Sequence, residues 1–218
     1  MELTTPAIVD IEQVAFHFST RSVFLGLDLR IAPGLTWLRG RNGRGKTTLL
    51  KLLGGALAPG AGAIRLGGQD SRKDALAYRR LCFYCGGEAP ALDWLTAREW
   101  LDLHVALYDA TDTVALHANL DAFGIPDVGA QPVTGLSLGQ YKKLQLSLAL
   151  ALPVRLLLVD EPFNGLDVQA VAVLEDILAQ RARRHEVQGD GAIVLTSHLE
   201  PRIAPTTVLD LDGRSGVV

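Results

Sequence analysis

Gly40-Arg41-Asn42-Gly43-Arg44-Gly45-Lys46-Thr47-Thr48 follows the apolar run Leu35-Thr36-Trp37-Leu38 and precedes Leu49-Leu50-Lys51-Leu52-Leu53. The first eight of these residues fit G-x-x-x-x-G-K-[ST], and the flanks read as a short strand over 35–39 and a helix opening over 47–53. That order is what a phosphate-binding loop requires. Glycines let successive backbone N–H groups turn inward, and the helix N-terminus adds the positive end of its dipole. Lys46 is then placed to reach β- and γ-phosphates, and the Thr47 hydroxyl to reach Mg²⁺. A glycine-rich turn that only caps a helix would explain the glycines but would leave the strand and helix on either side unaccounted for.

Holding a magnesium ion takes a carboxylate from a second element. Leu156-Leu157-Leu158-Val159-Asp160-Glu161 offers a continuously apolar run that ends in two acids. Such a run reads as a strand buried on both faces. Asp160 fits the metal-side acid. Glu161, one residue on, would point the other way in an extended chain and would polarise an attacking water as general base. The pair points to hydrolysis of a nucleoside triphosphate.

Working outward, β-like runs at 7–16 and 23–31 suggest an antiparallel pair at the start, with further strands at 63–66 and 81–85. Apolar spacing of three and four residues predicts helices over 96–108 and 111–123. A Gly- and Pro-containing loop covers 126–135, followed by a helix over 139–152. After the strand at 155–160 come a helix over 168–184 and strands at 192–196 and 207–211. Strands alternating with helices predict an α/β fold of P-loop type. A mostly parallel sheet would form its core, with an antiparallel β part at the N-terminus and a helical subdomain at about 88–152, all within one domain spanning 1–218.

Composition supports a folded chain: 48% of the 218 residues are hydrophobic and 21% charged. The net charge of −3 and pI near 5.9 leave no cationic excess for a nucleic-acid backbone, so no nucleic-acid partner is expected. The most apolar stretch, 144–159, is cut by Pro153 and Arg155, well short of the roughly 20 residues of a membrane helix. The acidic N-terminus lacks the pattern of a signal peptide, so the chain is expected to stay in the cytosol. Cys82 and Cys85 could form a redox pair or half a zinc site, but no second pair completes one, and reduced core thiols are expected.

Leu136-Ser137-Leu138-Gly139-Gln140 lies just upstream of the Asp-Glu strand. With the P-loop, it makes the chain resemble the ATP-binding-cassette (ABC) ATPase family, whose signature sequence it matches in order and spacing. Ser137 and Gln140 also suit a helix N-cap, and both readings hold together. The resemblance continues through Pro162-Phe163-Asn164-Gly165-Leu166-Asp167 as a D-loop and His198, in Thr196-Ser197-His198, as the switch histidine that senses the γ-phosphate. It implies that Ser137, Gly139, Gln140 and Asp167 contact ATP held by a second subunit, in a head-to-tail ATP-sandwich dimer, a homodimer by expectation. Phe18 sits where the family places an aromatic that stacks on adenine, with Phe16 as its competitor.

Three departures stand out. Gly86-Gly87-Glu88 follows the strand at 81–85 where the family has a glutamine, so the role of Glu88 is open between metal coordination and a solvated loop position. Leu138 replaces one residue of the usual Gly-Gly pair, which is tolerable where φ is negative. Arg41 and Arg44 replace small residues within the P-loop, and by default both point to solvent.

The resemblance implies an ATP-binding and ATP-hydrolysing subunit that uses ATP and Mg²⁺. It would sit peripherally on the cytoplasmic face of a membrane and drive separate integral membrane transporter subunits. Its short length and local stretches are similar to export-type subunits, among them the ATP-binding subunit of the haem exporter of cytochrome c maturation. Two alternatives stand beside it: a soluble ABC ATPase of iron–sulfur assembly type, and a nucleotide-binding regulatory subunit with little turnover.

Overall fold

Two sheets organise the molecule, seen in a computed structural model that describes residues 7–86, 92, 94–198 and 200–218. Strands β1 (Val9–Phe18), β2 (Arg21–Ile31), β4 (Ala61–Leu66) and β5 (Gln69–Asp70) form an antiparallel sheet in the order β2-β1-β4-β5. Strands β3 (Gly34–Arg39), β6 (Cys82–Cys85), β7 (Leu156–Asp160), β8 (Ala192–Thr196) and β9 (Thr207–Asp210) form the second, in the order β6-β7-β8-β3-β9. Every neighbouring pair in that sheet is parallel. The antiparallel start and parallel core follow the sequence expectation.

Strands β7 and β8, at the centre of the parallel sheet, present apolar residues on both faces, and their alternate residues feed two different cores. Leu157, Val159, Ile193 and Leu195 face one core, Leu156, Leu158, Ala192 and Val194 the other. The second core is filled by the antiparallel sheet and by α1 (Lys46–Leu53), whose Leu49, Leu50, Leu52 and Leu53 are almost wholly buried. At roughly 1.5–3 kcal/mol for each fully buried leucine, this packing holds the short helix in place where its eight residues could not hold themselves.

The first core is covered by α3 (Ala97–Leu107), α4 (Thr113–Ala122), α5 (Leu138–Ala151) and α6 (Val168–Gln188). Reciprocal caps start two of these. Thr96 and Glu99 bracket α3, and Ser137 and Gln140 bracket α5. The predicted loop over 126–135 contains two short 3₁₀ turns, Val128–Ala130 and Val133–Gly135. Helix α2 (Ala75–Arg80) and strand β5 were not anticipated, and α6 runs a turn beyond its predicted end.

Arg181 ties α5 to α6. Its buried guanidinium donates to the carbonyls of Ala149, Leu150, Leu152 and Val154, and its Nε to His185 Nε2 at 3.3 Å. The unpaired carbonyls of a helix C-terminus thus receive a cation, which both sides need. Burial lowers the Arg181 pKa to about 10.

The two cysteines cannot meet. Cys82 belongs to one core and Cys85 to the other, and burial pushes both thiols up to about 12. They are reduced, inert core residues. No helix among the described residues is long and apolar enough to cross a membrane.

Candidate functional site

The loop over 40–45 joins β3 to α1 at the C-terminal edge of the parallel sheet, where ligands of open α/β folds bind. Three glycines take positive φ there: Gly40 at 150°, Gly43 at 78° and Gly45 at 87°. Gly45 is irreplaceable on two counts, since a Cβ there would also lie 2.6 Å from Val23 Cγ1 and 3.0 Å from Phe24 Cζ. Lys46 folds back over the loop, its Nζ donating to the carbonyls of Gly40 at 2.6 Å and Arg41 at 3.5 Å. An ammonium resting on backbone carbonyls can exchange them for phosphate oxygens.

A cleft of about 190 Å³ opens beside this loop, lined by Asn42, Gly43, Gly45, Lys46, Thr47, Thr48, Asp160, Glu161 and His198. Residues from the P-loop, the end of β7 and the turn after β8 therefore converge. The parallel register explains why: Asp160 stands opposite Thr196. The Thr196 hydroxyl donates to Asp160 Oδ1 at 2.6 Å and accepts the Glu161 N–H at 2.9 Å. Asp160 is buried to 9% exposure. A hydroxyl and a carboxylate, both hard oxygen donors, face one cleft beside a phosphate-type loop, which is the chemistry Mg²⁺ selects.

Glu161 departs from the extended conformation expected of it. Its φ is 47°, in the left-handed region, so the chain turns at the end of β7 instead of alternating. Lys142 of α5 stabilises the turn, its Nζ donating to the carbonyls of Glu161 at 2.9 Å and Asn164 at 2.7 Å. Burial lowers the Lys142 pKa, with nearby Glu161 and Asp160 opposing. The Glu161 carboxylate ends in the cleft with Oε1 buried and without a hydrogen-bond partner among the described residues. His198 Nε2 lies 3.4 Å from that oxygen.

The remaining expected residues that the structure describes lie outside the cleft lining. Arg41 and Arg44 are not simply solvated: Asp212 accepts the Arg41 N–H at 3.0 Å and ion-pairs with both guanidiniums at 3.4 and 3.0 Å. Phe18, 48% exposed, ends β1 edge-on to Phe16, while Arg21 across the hairpin donates to the Gly43 carbonyl at 2.7 Å. The aromatic pair therefore flanks the P-loop without entering the cleft. Ser137, Gly139, Gln140 and Asp167 lie outside the cleft lining. Ser137 and Gln140 cap each other, and Gly139 packs so that a Cβ would meet the Gly165 carbonyl at 2.9 Å. Asp167 caps α6 through Ala170 and pairs with Lys143 at 2.6 Å. Leu138 has a negative φ at the first position of α5 and is 66% exposed, so its side chain is accommodated. Glu88 lies outside the described residues. Sequence reasoning missed Tyr84, whose hydroxyl donates to Asp160 Oδ2 at 3.0 Å.

Residues 25–164 match the family model described as ABC transporter. The chain belongs to the ABC transporter family. As an ATP-binding subunit of that family it binds and hydrolyses ATP and works with membrane transporter components. Among curated relatives, the cytochrome c biogenesis ATP-binding export protein CcmA of Rhodospirillum rubrum is 36% identical over 95% of this chain and 87% of its own length. The protein of the same name from Aromatoleum aromaticum is 40% identical over 88% of this chain and 89% of its own length. A solved ATP-binding subunit of an ABC transporter superposes with a TM-score of 0.76 at 24% identity, over 88% of this chain and 80% of that one. These likenesses favour the transporter reading over the iron–sulfur and low-turnover alternatives.

Proposed function

We propose that this subunit powers an export-type ABC transporter of the kind that serves cytochrome c biogenesis, with haem or a haem-handling step as its cargo class. The observation that carries the reading is that relatives named as export proteins of that process match nearly end to end at 36% and 40% identity. The subunit would sit peripherally on the cytoplasmic face of the membrane. We read 1–218 as one ABC ATPase domain, with the helical part at about 88–152 acting as the arm that meets the membrane partner.

In the proposed chemistry, Gly40, Asn42, Gly43, Gly45 and Thr48 cradle the triphosphate. Lys46 leaves the Gly40 and Arg41 carbonyls for the β- and γ-phosphate oxygens. Thr47 and Asp160 would hold Mg²⁺, which neutralises charge on the phosphates when bound. Glu161 accepts a proton from the attacking water as its oxygen bonds to the γ-phosphorus and the bond to the β-bridging oxygen breaks. His198 faces the γ-phosphate and steadies the Glu161 carboxylate. Phe18 stacks on the adenine. Arg41 and Arg44 remain with Asp212 and contribute at longer range.

Two copies would close around two ATP molecules, with Ser137, Gly139, Gln140 and Asp167 of each turned toward the nucleotide of the other. Closure then draws on the higher affinity of the closed state for ATP. The test is affinity purification of tagged Glu161→Gln protein from native membranes with ATP and Mg²⁺, read by mass spectrometry. A stoichiometric integral membrane protein supports the reading; recovery with soluble partners alone overturns it.

A further inference from the structure

We infer that Tyr84 is a positioning residue for nucleotide-bound magnesium, fixing the Asp160 carboxylate from the side opposite Thr196. The inference rests on the proposed metal-side role of Asp160. Tyr84 lies on β6 in register with Leu158 of β7. Side chains two residues apart on a strand share a face, so Tyr84, Leu158 and Asp160 line the same side of the sheet. The phenol thus runs along β7 to reach the carboxylate two residues beyond its own partner.

Each Asp160 oxygen is thereby held by a different hydroxyl, Oδ1 by Thr196 at 2.6 Å and Oδ2 by Tyr84 at 3.0 Å. An ionised carboxylate has about four lone-pair sites. Two hydroxyl donors fix its plane and leave capacity for a cation or its water. The side chain packs, half-buried, against the core around α1, and a Cβ built on Gly54, at the end of that helix, would lie 3.5 Å from the Tyr84 Cβ. On the other side, a Cβ on Gly86 would lie 2.6 Å from Asp160 Cβ and 3.3 Å from the Tyr84 hydroxyl. Glycine at 86 is what lets the chain pass over this hydroxyl–carboxylate contact.

Partners that orient a metal-side ligand contribute about 10–100-fold to metal affinity. The test uses the full-length protein and a fluorescent ATP analogue, with binding measured across a Mg²⁺ titration. Tyr84→Phe removes one oxygen and preserves the ring. It is expected to raise the Mg²⁺ concentration for half-maximal enhancement about tenfold, while binding in EDTA changes less than twofold. An unchanged Mg²⁺ midpoint overturns the inference, as does equal weakening with and without Mg²⁺, which marks a merely structural role. Asp160→Asn separates the two levels. If it abolishes Mg²⁺ enhancement while Tyr84→Phe has no effect, only the Tyr84 inference fails; if it preserves enhancement, the metal-side reading of Asp160 fails with it.

Discussion

His198 Nε2 stands 3.4 Å from Glu161 Oε1, an oxygen that is buried without a hydrogen bond from any described residue although the side chain keeps 23% of its exposure. The pair is close enough for electrostatic attraction but makes no hydrogen bond. A buried acceptor left this way costs about 1–3 kcal/mol, and a water held between Glu161 and a phosphate would relieve it. Glu161→Gln keeps the side chain's shape and the backbone bonds to Thr196 and Lys142 but removes the base. ATP affinity should be retained and phosphate release should fall roughly 10²–10⁴-fold. Hydrolysis at the unmutated rate would refute the assignment.

Gly45 tests the P-loop's seat. Alanine there would meet Val23 and Phe24 and force a side chain into positive φ at 87°. Overpacking of about 1–3 kcal/mol and left-handed strain of roughly 1–2 kcal/mol add. The Gly45→Ala protein should therefore melt about 4–20 °C lower, at roughly 2–4 °C per kcal/mol for a chain of this size, and lose most ATP affinity. Differential scanning fluorimetry with and without ATP measures both.

What was readable in the sequence was what is local. The P-loop carries its own glycines between its own strand and helix, and the buried strand of residues 156–160 announces itself by continuous apolarity. The left-handed turn at Glu161 was not readable, and Pro162 argues against it, because a residue before proline is biased toward extended backbone. Contacts from Lys142 and Thr196, 19 and 35 residues away, override that bias. Distance also hid the Arg41–Arg44–Asp212 clamp and the Tyr84–Asp160 bond. Helix α2 was missed because it is only six residues long with one buried side chain, Tyr78, and so has no period to detect.

Lys142 offers a test of that turn. Its ammonium joins the helix that begins at Ser137 to the carbonyls of Glu161 and Asn164. Lys142→Met keeps the stem and removes the donor. ATP binding should hold while turnover drops about 10–100-fold, as expected when a catalytic group is displaced by about 1 Å. Lys142→Arg should recover part of the rate. Steady-state kinetics beside an equilibrium binding measurement separates the two effects, and a fall in affinity at constant turnover would contradict the assignment.

The Arg181–His185–Asp190 chain makes stability depend on pH. Arg181 Nε can only donate, so His185 Nε2 accepts at 3.3 Å and Nδ1 carries the proton given to Asp190 Oδ1 at 2.7 Å. His185 is therefore neutral in the fold. Burial lowers its pKa first of all, with Arg181 and Arg184 adding to the effect and Asp190 opposing it. With the folded value below the ordinary 6.5, the unfolded chain binds more protons in the window between them, so stability is full above that pH and falls as the solution is acidified through the window. Asp190, lowered from 3.8 chiefly by the His185 hydrogen bond, adds a second loss only in stronger acid. Burial lowers His104 as well, with the same sign, so a variant is needed to apportion the slope. Thermal melts between about pH 7.5 and 5.5 should show the midpoint falling with acid, and His185→Gln should flatten part of that fall. An unaltered slope in the variant would show that His185 does not carry it.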